Sequence, residues 1–367
     1  MSPSIKQQSL SIKSDRCLFQ TAEKLMFPLL IDCQKAAETV VMQAMLSLMR
    51  YRKAHKFIPS WKKPDQTYVT PADYAIQYYF YQKLTSLFPH IPLVGEETLN
   101  PATDHERIPQ IIHFAKQLDP KVSSQDLYHA LSPENSLSSL FWLTDPIDGT
   151  SGFIKQRCFA VALSLFYEHT PVLSVIACPT SKDGSFKIYS AAKGEGLMIC
   201  NPSHSFPFSL HEDFRPACKF CEASLSARNH QHLTTHILSK HLPWNPQPIR
   251  ADSQCKYAWV ADNTVDFFIR IPYSPPRAHY RDHAPGVFLI EEAGGLVTDI
   301  SGTPLTFSNP NLYLEKHPLI LASANEQMHS IILETLYRLR LQSASNSHFL
   351  EEPPFFPKNT QLNALQL

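Results

Sequence analysis

Residues 142–154, WLTDPIDGTSGFI, place two aspartates three residues apart at the end of an apolar run. Pro146 fixes its own φ and stiffens the segment. In a tight turn, this spacing lets the carboxylates of Asp145 and Asp148 point the same way, with the carbonyl oxygen of Ile147 between them. Carboxylates and carbonyls are hard oxygen ligands of the kind that Mg²⁺ prefers. The stretch therefore indicates a metal site where a strand ends.

The residues after Asp148 are suited to binding phosphate. Gly149 brings conformational freedom, and Thr150 brings a hydroxyl group and a backbone N–H. If a helix begins here, its first N–H groups and the positive end of its dipole favour an anion. An Asx turn followed by a helix cap explains the same residues without a ligand, because Asp, Pro and Gly are ordinary turn residues. On this stretch alone, both interpretations stay open.

The composition is that of a globular protein. Of the 367 residues, 43% are hydrophobic and 18% are charged, which allows one large domain or two ordinary ones with a substantial core. Lys plus Arg and Asp plus Glu number 33 each, so the overall charge gives no reason to expect nucleic acid or an anionic membrane as a partner. A small anionic substrate is compatible with this balance, because a local site can differ from the average.

The sequence shows no pattern of secretion, membrane insertion or disulfide bonding. Its N-terminal residues lack the apolar core of a signal peptide, and no run approaches the roughly 18 apolar residues of a membrane span. The eight cysteines are scattered, and the single C-x-x-C, over 218–221, has no second pair to complete a zinc site. We therefore expect free thiols in a cytoplasmic protein, with those two cysteines on a strand.

Helical and strand-like segments alternate along the first half of the chain. A first helix is expected over 21–51, and a second begins at Thr70, with Pro71 at the first helical position and Asp73 at the capping-box position, and ends before Pro89. A short strand leads into the acidic turn at 95–98. Further strands are expected at 139–145, within 158–179 and within 186–200, and one helix at 108–118 inside a polar excursion over 99–138.

The alternation continues after a proline-rich polar stretch over 201–216, which marks the best domain boundary. Strands are expected at 219–224, 266–272 and 295–300, and helices at 229–241, 253–262, 281–293 and 324–340. We predict a polar tail over 1–20, an N-terminal α+β domain over 21–205, a C-terminal α/β domain over 206–342 and a second polar tail over 343–367. Mixed α and β layers follow from this order of elements.

Other carboxylates stand at the ends of predicted elements. Glu96 and Glu97 follow a strand, and Asp282 stands where a helix begins. Each of them alone is explained by a cap or a solvated turn charge, and Asp73 is explained by its capping box.

Three ordered motifs resemble those of the inositol monophosphatase superfamily of magnesium-dependent, lithium-inhibited phosphomonoesterases. They are GEET at 95–98, DPIDGT at 145–150 and RDHAPG at 281–286, and a Thr-x-x-Asp element stands upstream at 70–73. Together they form a far more specific signal than any one of them. Within the superfamily, 145–179 and 252–272 are most similar to the 3'(2'),5'-bisphosphate nucleotidases, and the likeness covers about 21–342.

The resemblance implies a fold and a set of site residues. The fold is the layered α/β type, an αβαβα sandwich of two subdomains like that of inositol monophosphatases and fructose bisphosphatases, with the site between them. The ligands of two or three Mg²⁺ ions would be Glu96, Asp145, the carbonyl of Ile147, Asp148 and Asp282. The N-terminal domain supplies most of these ligands, and the C-terminal domain supplies Asp282.

The resemblance also implies roles in catalysis and substrate binding. Asp73 and Thr150 would orient and deprotonate the attacking water, and Glu97 would lie behind the ligands. The implied substrate contacts are Gly149, Thr150, Ser151, Ser253, Lys256 and Arg281.

The chain departs from the family pattern at three of these motif positions. Arg281 replaces the usual Trp, Pro285 replaces an Ala, and Ser151 stands where the nucleotidases generally carry a lysine. Because the implied metal ligands are all present, we expect these departures to affect substrate preference more than the catalysed reaction. Arg281 either restores positive charge near a phosphate or has a purely structural role.

We expect a Mg²⁺-dependent phosphatase that removes the 3'-phosphate of adenosine 3',5'-bisphosphate, a by-product of sulfate activation. One alternative keeps the chemistry and takes an inositol or sugar phosphate, which the departures at 151, 281 and 285 favour. A second alternative is an inactive relative that only binds nucleotide or a protein, although such a module has no need for both Asp73 and Thr150. No pattern in the sequence predicts an oligomeric state.

Overall fold

The computed structural model describes residues 4–132, 138–180, 185–202, 204–208, 210, 219–222, 240–244, 247–270, 278–314 and 319–345, with side chains described within 29–338. The helices are α1 (Ser4–Ala54), α2 (Pro71–Leu87), α3 (Ile108–Ala115), α4 (Ser124–Ala130), α5 (Thr150–Ile154), α6 (Cys255–Ala261), α7 (Ala284–Ala293) and α8 (Glu326–Ser345), with a 3₁₀ turn at Tyr280–Asp282.

The strands of the first half are β1 (Trp61–Lys62), β2 (Tyr68–Val69), β3 (Leu93–Val94), β4 (Leu140–Asp148), β5 (Ala160–Tyr167), β6 (Thr170–Pro179), β7 (Phe186–Ala192), β8 (Leu197–Cys200) and β9 (Ser205–Phe208). Those of the second half are β10 (Lys219–Glu222), β11 (Gln247–Arg250), β12 (Phe267–Arg270), β13 (Leu296–Asp299) and β14 (Ile320–Ser323).

The strands form two large sheets and a small hairpin, β1–β2. The first sheet has the order β3-β4-β5-β6-β7-β8-β9 and is antiparallel except where β3 runs parallel to β4. The second has the order β11-β10-β12-β14-β13, with β10 parallel to both of its neighbours. Because β9 pairs with β8, the first sheet extends to Phe208, slightly beyond the boundary predicted at 205.

The sheets and helices stack in alternating layers. One face of the first sheet packs against α1 and α2, and its other face packs against α6 and α7. The same two helices contact the second sheet, and α8 covers the far side of that sheet. The layered αβαβα sandwich expected from the sequence is confirmed.

The central strands of the first sheet are buried on both faces. In β5, Val161 and Leu163 face α1 and α2, while Ala162 faces α6 and α7. Burial on both sides explains the nearly continuous apolar run of this strand. The buried hydroxyl of Ser164 lies 2.8 Å from that of Ser174 directly opposite on β6, so two polar groups within the sheet pair with each other.

Helix α1 begins at Ser4 and so includes residues 4–20 of the predicted polar tail. Residues 4–27 contain neither glycine nor proline, so nothing in the backbone chemistry ends the helix there. Pro28 lies within α1, where its ring removes one backbone donor. At the other end, α8 runs to Ser345, past the predicted start of the second tail, and residues 346–367 lie outside the described part.

The polar excursion over 99–138 contains a second helix that the sequence analysis missed. Ser123 and Asp126 form a capping box at the start of α4, in which each side chain bonds the other's backbone N–H. This Ser-x-x-Asp pattern was the available signal. The predicted capping box of α2, with Thr70, Pro71 and Asp73, is confirmed. The helix predicted over 229–241 lies almost entirely outside the described residues.

The described cysteine side chains are all free thiols, as predicted: Cys33, Cys158, Cys178, Cys200, Cys221 and Cys255. Cys221 lies buried on β10, and Cys218 falls outside the described residues. Within the described chain, every helix is too short or too polar to cross a lipid bilayer.

His329 on α8 ties the second sheet to its covering helix. Its Nδ1 lies 2.7 Å from Ser323 Oγ on β14, and its Nε2 lies 2.9 Å from Thr298 Oγ1 on β13. Burial lowers the pKa of His329 to about 4, so the imidazole is neutral at pH 7.

Acid should therefore destabilise the chain through His329. Below the unfolded pKa of 6.5 the unfolded chain binds more protons at this residue, so its stability contribution is present above that pH and is lost as the pH falls toward 4. Between pH 7 and pH 5, the free energy of unfolding should drop by about 2 kcal/mol more in the wild type than in His329→Gln. Urea unfolding at both pH values measures this difference, and equal losses in the two chains would contradict it.

Candidate active site

The acidic residues meet at the carboxyl ends of β3 and β4. These strands are parallel, with Val94 opposite Leu143. Glu96 and Asp145 each follow this pair by two residues, and their side chains are in contact. Asp145 is only 4% exposed, so its charge is placed where water cannot fully solvate it.

The DPIDGT segment stays in the sheet as a β-bulge. Asp145 pairs with Ala162 and Asp148 pairs with Ala160, so β4 holds one extra residue between these two pairs. The backbone N–H of Ile147 donates to Asp145 Oδ1 at 3.1 Å. The tight turn expected from the sequence is therefore a bulged strand end, because the intervening proline lacks the N–H that a regular ladder uses.

Helices α2 and α5 bring Asp73 and Thr150 together. Asp73 is 1% exposed, and its Oδ2 accepts hydrogen bonds from the backbone N–H and the hydroxyl of Thr70 at 2.8 and 2.5 Å. Its Oδ1 lies 3.1 Å from Thr150 Oγ1, which lies 3.0 Å from the carbonyl oxygen of Ile147. The capping box thus fixes one carboxylate oxygen and leaves the other for Thr150.

Gly149 brings the two halves of the chain into contact at the start of α5. It has a φ of +85°, in the left-handed region that glycine adopts most easily. A Cβ at this position would lie 2.9 Å from Ser253 Cβ. Ser253, predicted from the resemblance as a substrate contact, therefore lies directly against the predicted phosphate-binding turn.

Gln254 joins Asp148 to the segment that carries Asp282. Its backbone N–H donates to Asp148 Oδ2, and its side-chain Nε2 donates to the carbonyl oxygen of Arg281 at 2.8 Å. The Gln254 side chain is 1% exposed. Sequence analysis did not single it out, because its partners lie on two distant segments.

Lys63 and Gln77 are two more residues that the sequence analysis missed. Lys63, just after β1, places its Nζ 2.7 Å from Glu96 Oε1 and 2.5 Å from Glu97 Oε1. Gln77 on α2 donates to the carbonyl of Glu97 at 2.7 Å and accepts from its N–H at 2.8 Å. Gly95 makes this approach possible, since a Cβ there would meet the Gln77 side chain at 2.1 Å. The acidic turn is thus held from two sides.

Burial and mutual repulsion raise the pKa values of most site carboxyls. Burial is the main cause at Asp145, whose pKa lies well above its usual value, and at Asp148, where it reaches about 7; neighbouring carboxylates add to both. Burial raises the pKa of Asp282 to about 6 against the opposing effect of Arg281. At Asp73, burial outweighs the hydrogen bonds from Thr70 and the pKa is about 6.

The pKa values of the two glutamates in the acidic turn are shifted in opposite directions. Burial pushes the pKa of Glu96 upward, but Arg281 and Lys63 outweigh it, so the pKa lies below its usual value. Burial and then the charge of Glu96 raise the pKa of Glu97 to about 8, although Lys63 also contacts it. Lys63 therefore contacts one glutamate whose pKa is lowered and one whose pKa is raised.

The donor atoms suit a hard divalent cation. A bound cation favours the ionised form of carboxyls whose pKa values are raised by burial and by neighbouring carboxylates. Carboxylate and carbonyl oxygens are also the ligands that Mg²⁺ takes. Among the residues that the structure describes, no three acidic, histidine or cysteine side chains converge closely enough to hold a metal ion. Glu96 is directed to Lys63 and Arg281 instead. The oxygen donors therefore fit Mg²⁺, but one predicted ligand, Glu96, is paired with Lys63 and Arg281 in this structure.

The departures from the family pattern lie on two short segments of the site, α5 and the turn that leads into α7. Pro285 occupies the first turn of α7, where a missing N–H needs no partner, so it leaves the helix intact. Ser151 is half-buried on α5. Lys256 donates to the carbonyl oxygen of Ser253 at 2.8 Å, and Arg281 faces Glu96.

The contact between Gly149 and Ser253 can be tested with a matched glycine. Gly194 has a φ of +82°, close to that of Gly149, but no atom lies within 4 Å of a Cβ built there. Both Gly→Ala changes should cost about 1 kcal/mol of left-handed strain, and Gly149→Ala should cost clearly more because Ser253 must move. Urea unfolding measures the loss in free energy of unfolding for each variant. Equal losses would show that the close approach of Ser253 to Gly149 does not limit the size of the side chain at position 149.

Comparison with known proteins identifies the family to which this sequence is similar. The model of the inositol monophosphatase family matches residues 28–340. A 3'(2'),5'-bisphosphate nucleotidase of Dictyostelium discoideum is 31% identical over 265 residues, which covers 67% of this chain and 79% of that protein. One of Schizosaccharomyces pombe is 30% identical over 280 residues, with 67% and 77% covered.

Solved structures share the fold. The extragenic suppressor protein suhB from Bartonella henselae superposes with a TM-score of 0.58 at 18% sequence identity, covering 83% of this chain and 98% of that one. The motif order, the layered sheets and the match of the family model over most of the sequence lead to one conclusion: the chain belongs to the inositol monophosphatase family.

Proposed function

We propose that this protein is a Mg²⁺-dependent 3'(2'),5'-bisphosphate nucleotidase that removes the 3'-phosphate of adenosine 3',5'-bisphosphate. The observation that carries the proposal is the hydrogen-bonded pair of Asp73 and Thr150 beside the bulged strand end of Asp145 and Asp148. The substrate class is inferred from the two relatives described above, both of which are named as 3'(2'),5'-bisphosphate nucleotidases.

The proposed ligands of two or three Mg²⁺ ions are Glu96, Asp145, Ile147 through its carbonyl, Asp148 and Asp282. Bound Mg²⁺ would neutralise the phosphate and favour ionisation of the attacking water. Asp145 and Asp148 suit this role because burial, and then neighbouring carboxylates, raise their pKa values, and a divalent cation would favour their ionised forms. Glu97 is assigned a position behind these ligands, where Lys63 contacts it.

Asp73 is proposed to accept the proton of the attacking water, with Thr150 positioned between the water and the carboxylate. The Thr150 hydroxyl has two possible acceptors, Asp73 Oδ1 at 3.1 Å and the Ile147 carbonyl oxygen at 3.0 Å; when it donates to Asp73, its lone pairs can accept from water. Asp73 can receive the proton because burial has raised its pKa to about 6. Thr70 keeps the carboxyl in place through the other oxygen.

The phosphate is proposed to lie at the start of α5, against the N–H groups of Thr150 and Ser151, which have no partner within the helix by its geometry. Ser253 lies against this turn through Gly149, and Lys256 is anchored on the Ser253 carbonyl. We assign these two residues to the nucleoside and its second phosphate. The cytoplasmic location expected from the cysteines stays a prediction.

An inositol or sugar phosphate is the second candidate substrate, and one observation favours it. Ser151 places a short neutral side chain beside the phosphate-binding turn, where the nucleotidases generally carry a lysine.

Phosphate release distinguishes these substrates. With Mg²⁺, adenosine 3',5'-bisphosphate should be hydrolysed much faster than inositol 1-phosphate or fructose 1,6-bisphosphate, and lithium should abolish the reaction. Preference for either of the other two would shift the assignment to the second candidate. A folded chain that releases phosphate from none of them would contradict the proposed function.

The ligand assignment is tested by Asp145→Asn. This change keeps the shape of the side chain and removes one charge from the centre of the site, so kcat should fall by more than about a hundredfold. The matched control is Asp126→Asn, because Asp126 also accepts a local backbone hydrogen bond but lies at the start of α4. Circular dichroism checks folding of both variants; full activity of Asp145→Asn at saturating Mg²⁺ would refute its assignment as a ligand.

A further inference from the structure

Arg281 lies among the predicted metal ligands. Its Nε is 3.6 Å from Glu96 Oε2 and 3.7 Å from Asp282 Oδ1. Its side chain is 21% exposed, and within the described part of the chain its buried Nε has no hydrogen-bond partner. The guanidinium therefore makes loose ion pairs with two carboxylates from different segments and hydrogen-bonds to neither through Nε.

Glu96 has a cation on each of its oxygens. Oε1 is 2.7 Å from Lys63 Nζ, and Oε2 faces Arg281. The two contacts differ in kind, because the lysine is at hydrogen-bonding distance and the arginine is beyond it. The contact of Arg281 is thus the one that another cation can displace more easily.

The backbone of Arg281 is fixed in place. Gln254, itself 1% exposed, donates to the Arg281 carbonyl oxygen, and the residue belongs to the 3₁₀ turn that leads into α7. An arginine keeps its charge at any physiological pH. A permanent positive charge is therefore held at one end of the carboxylate cluster.

We propose that Arg281 is a tethered cation that competes with a divalent ion for Glu96 and Asp282. The inference rests on the proposed function, because it concerns those residues as Mg²⁺ ligands. It differs from the substrate-binding role that the family resemblance suggested, since the guanidinium faces two carboxylates of the cluster. A divalent ion that binds there must displace the guanidinium or bind beside it against its charge.

Titration calorimetry of the full-length, metal-stripped chain with Mg²⁺ tests the competition without any catalytic readout. Arg281→Met should bind Mg²⁺ at least about fivefold more tightly than wild type, or bind an additional ion, because a unit charge about 4 Å away matters by that factor even in bulk water. Arg281→Lys keeps the charge and should stay close to wild type.

Arg250→Met is the control for removing an arginine from an ion pair. Arg250 pairs with Glu222 at 2.9 Å on the edge of the second sheet, and its loss should leave Mg²⁺ affinity unchanged. Circular dichroism checks that each variant is folded. Should Arg281→Met not fold, Arg281→Trp, which restores the residue usual in the family, carries the same expectation.

The outcomes separate the two ideas. If wild type and the charge-removing variant bind Mg²⁺ equally well, or if Arg281→Lys gains as much affinity as Arg281→Met, the tethered cation is refuted while the metal-dependent phosphatase stands. If neither wild type nor variant binds Mg²⁺ at millimolar concentrations, the proposed function fails, and the competition fails with it.

Discussion

Repulsion among closely placed carboxylates is the constraint on which the rest of the site depends. Asp145 stands at the centre, buried, with Glu96, Asp148 and Asp282 as its like-charged neighbours. These neighbours come from three segments: the turn after β3, the end of β4 and the 3₁₀ turn before α7. Several polar groups around the site offset that repulsion.

The chain offsets the repulsion in three ways. Lys63 brings a positive charge to the acidic turn, Gln254 donates a backbone hydrogen bond to Asp148, and Thr70 donates two to Asp73. The pKa of Glu97 is nevertheless raised, first by its burial and then by the charge of Glu96. The metal-free site is thus a compromise that a divalent cation would relieve.

Local patterns predicted the elements that carry the site, and long-range contacts escaped them. The cap at Thr70 and the end of α7 at Gly294 were predictable because each is defined within a few residues. The bulge at Asp145 was predicted as a turn, since a proline in a strand resembles a break. Lys63 could not be found from its neighbours, because its partners lie 33 and 34 residues further along the chain.

The helices α6 and α7 have a consequence for how the protein folds. Their buried side chains, such as Tyr257 and Val287, share one apolar cluster with Phe141 from the first sheet and Phe268 from the second. Gly286 allows Tyr257 to pack closely, since a Cβ there would meet its ring at 2.3 Å. Because this middle layer packs against both sheets, the two subdomains share part of their core, and the described chain should unfold in one cooperative transition.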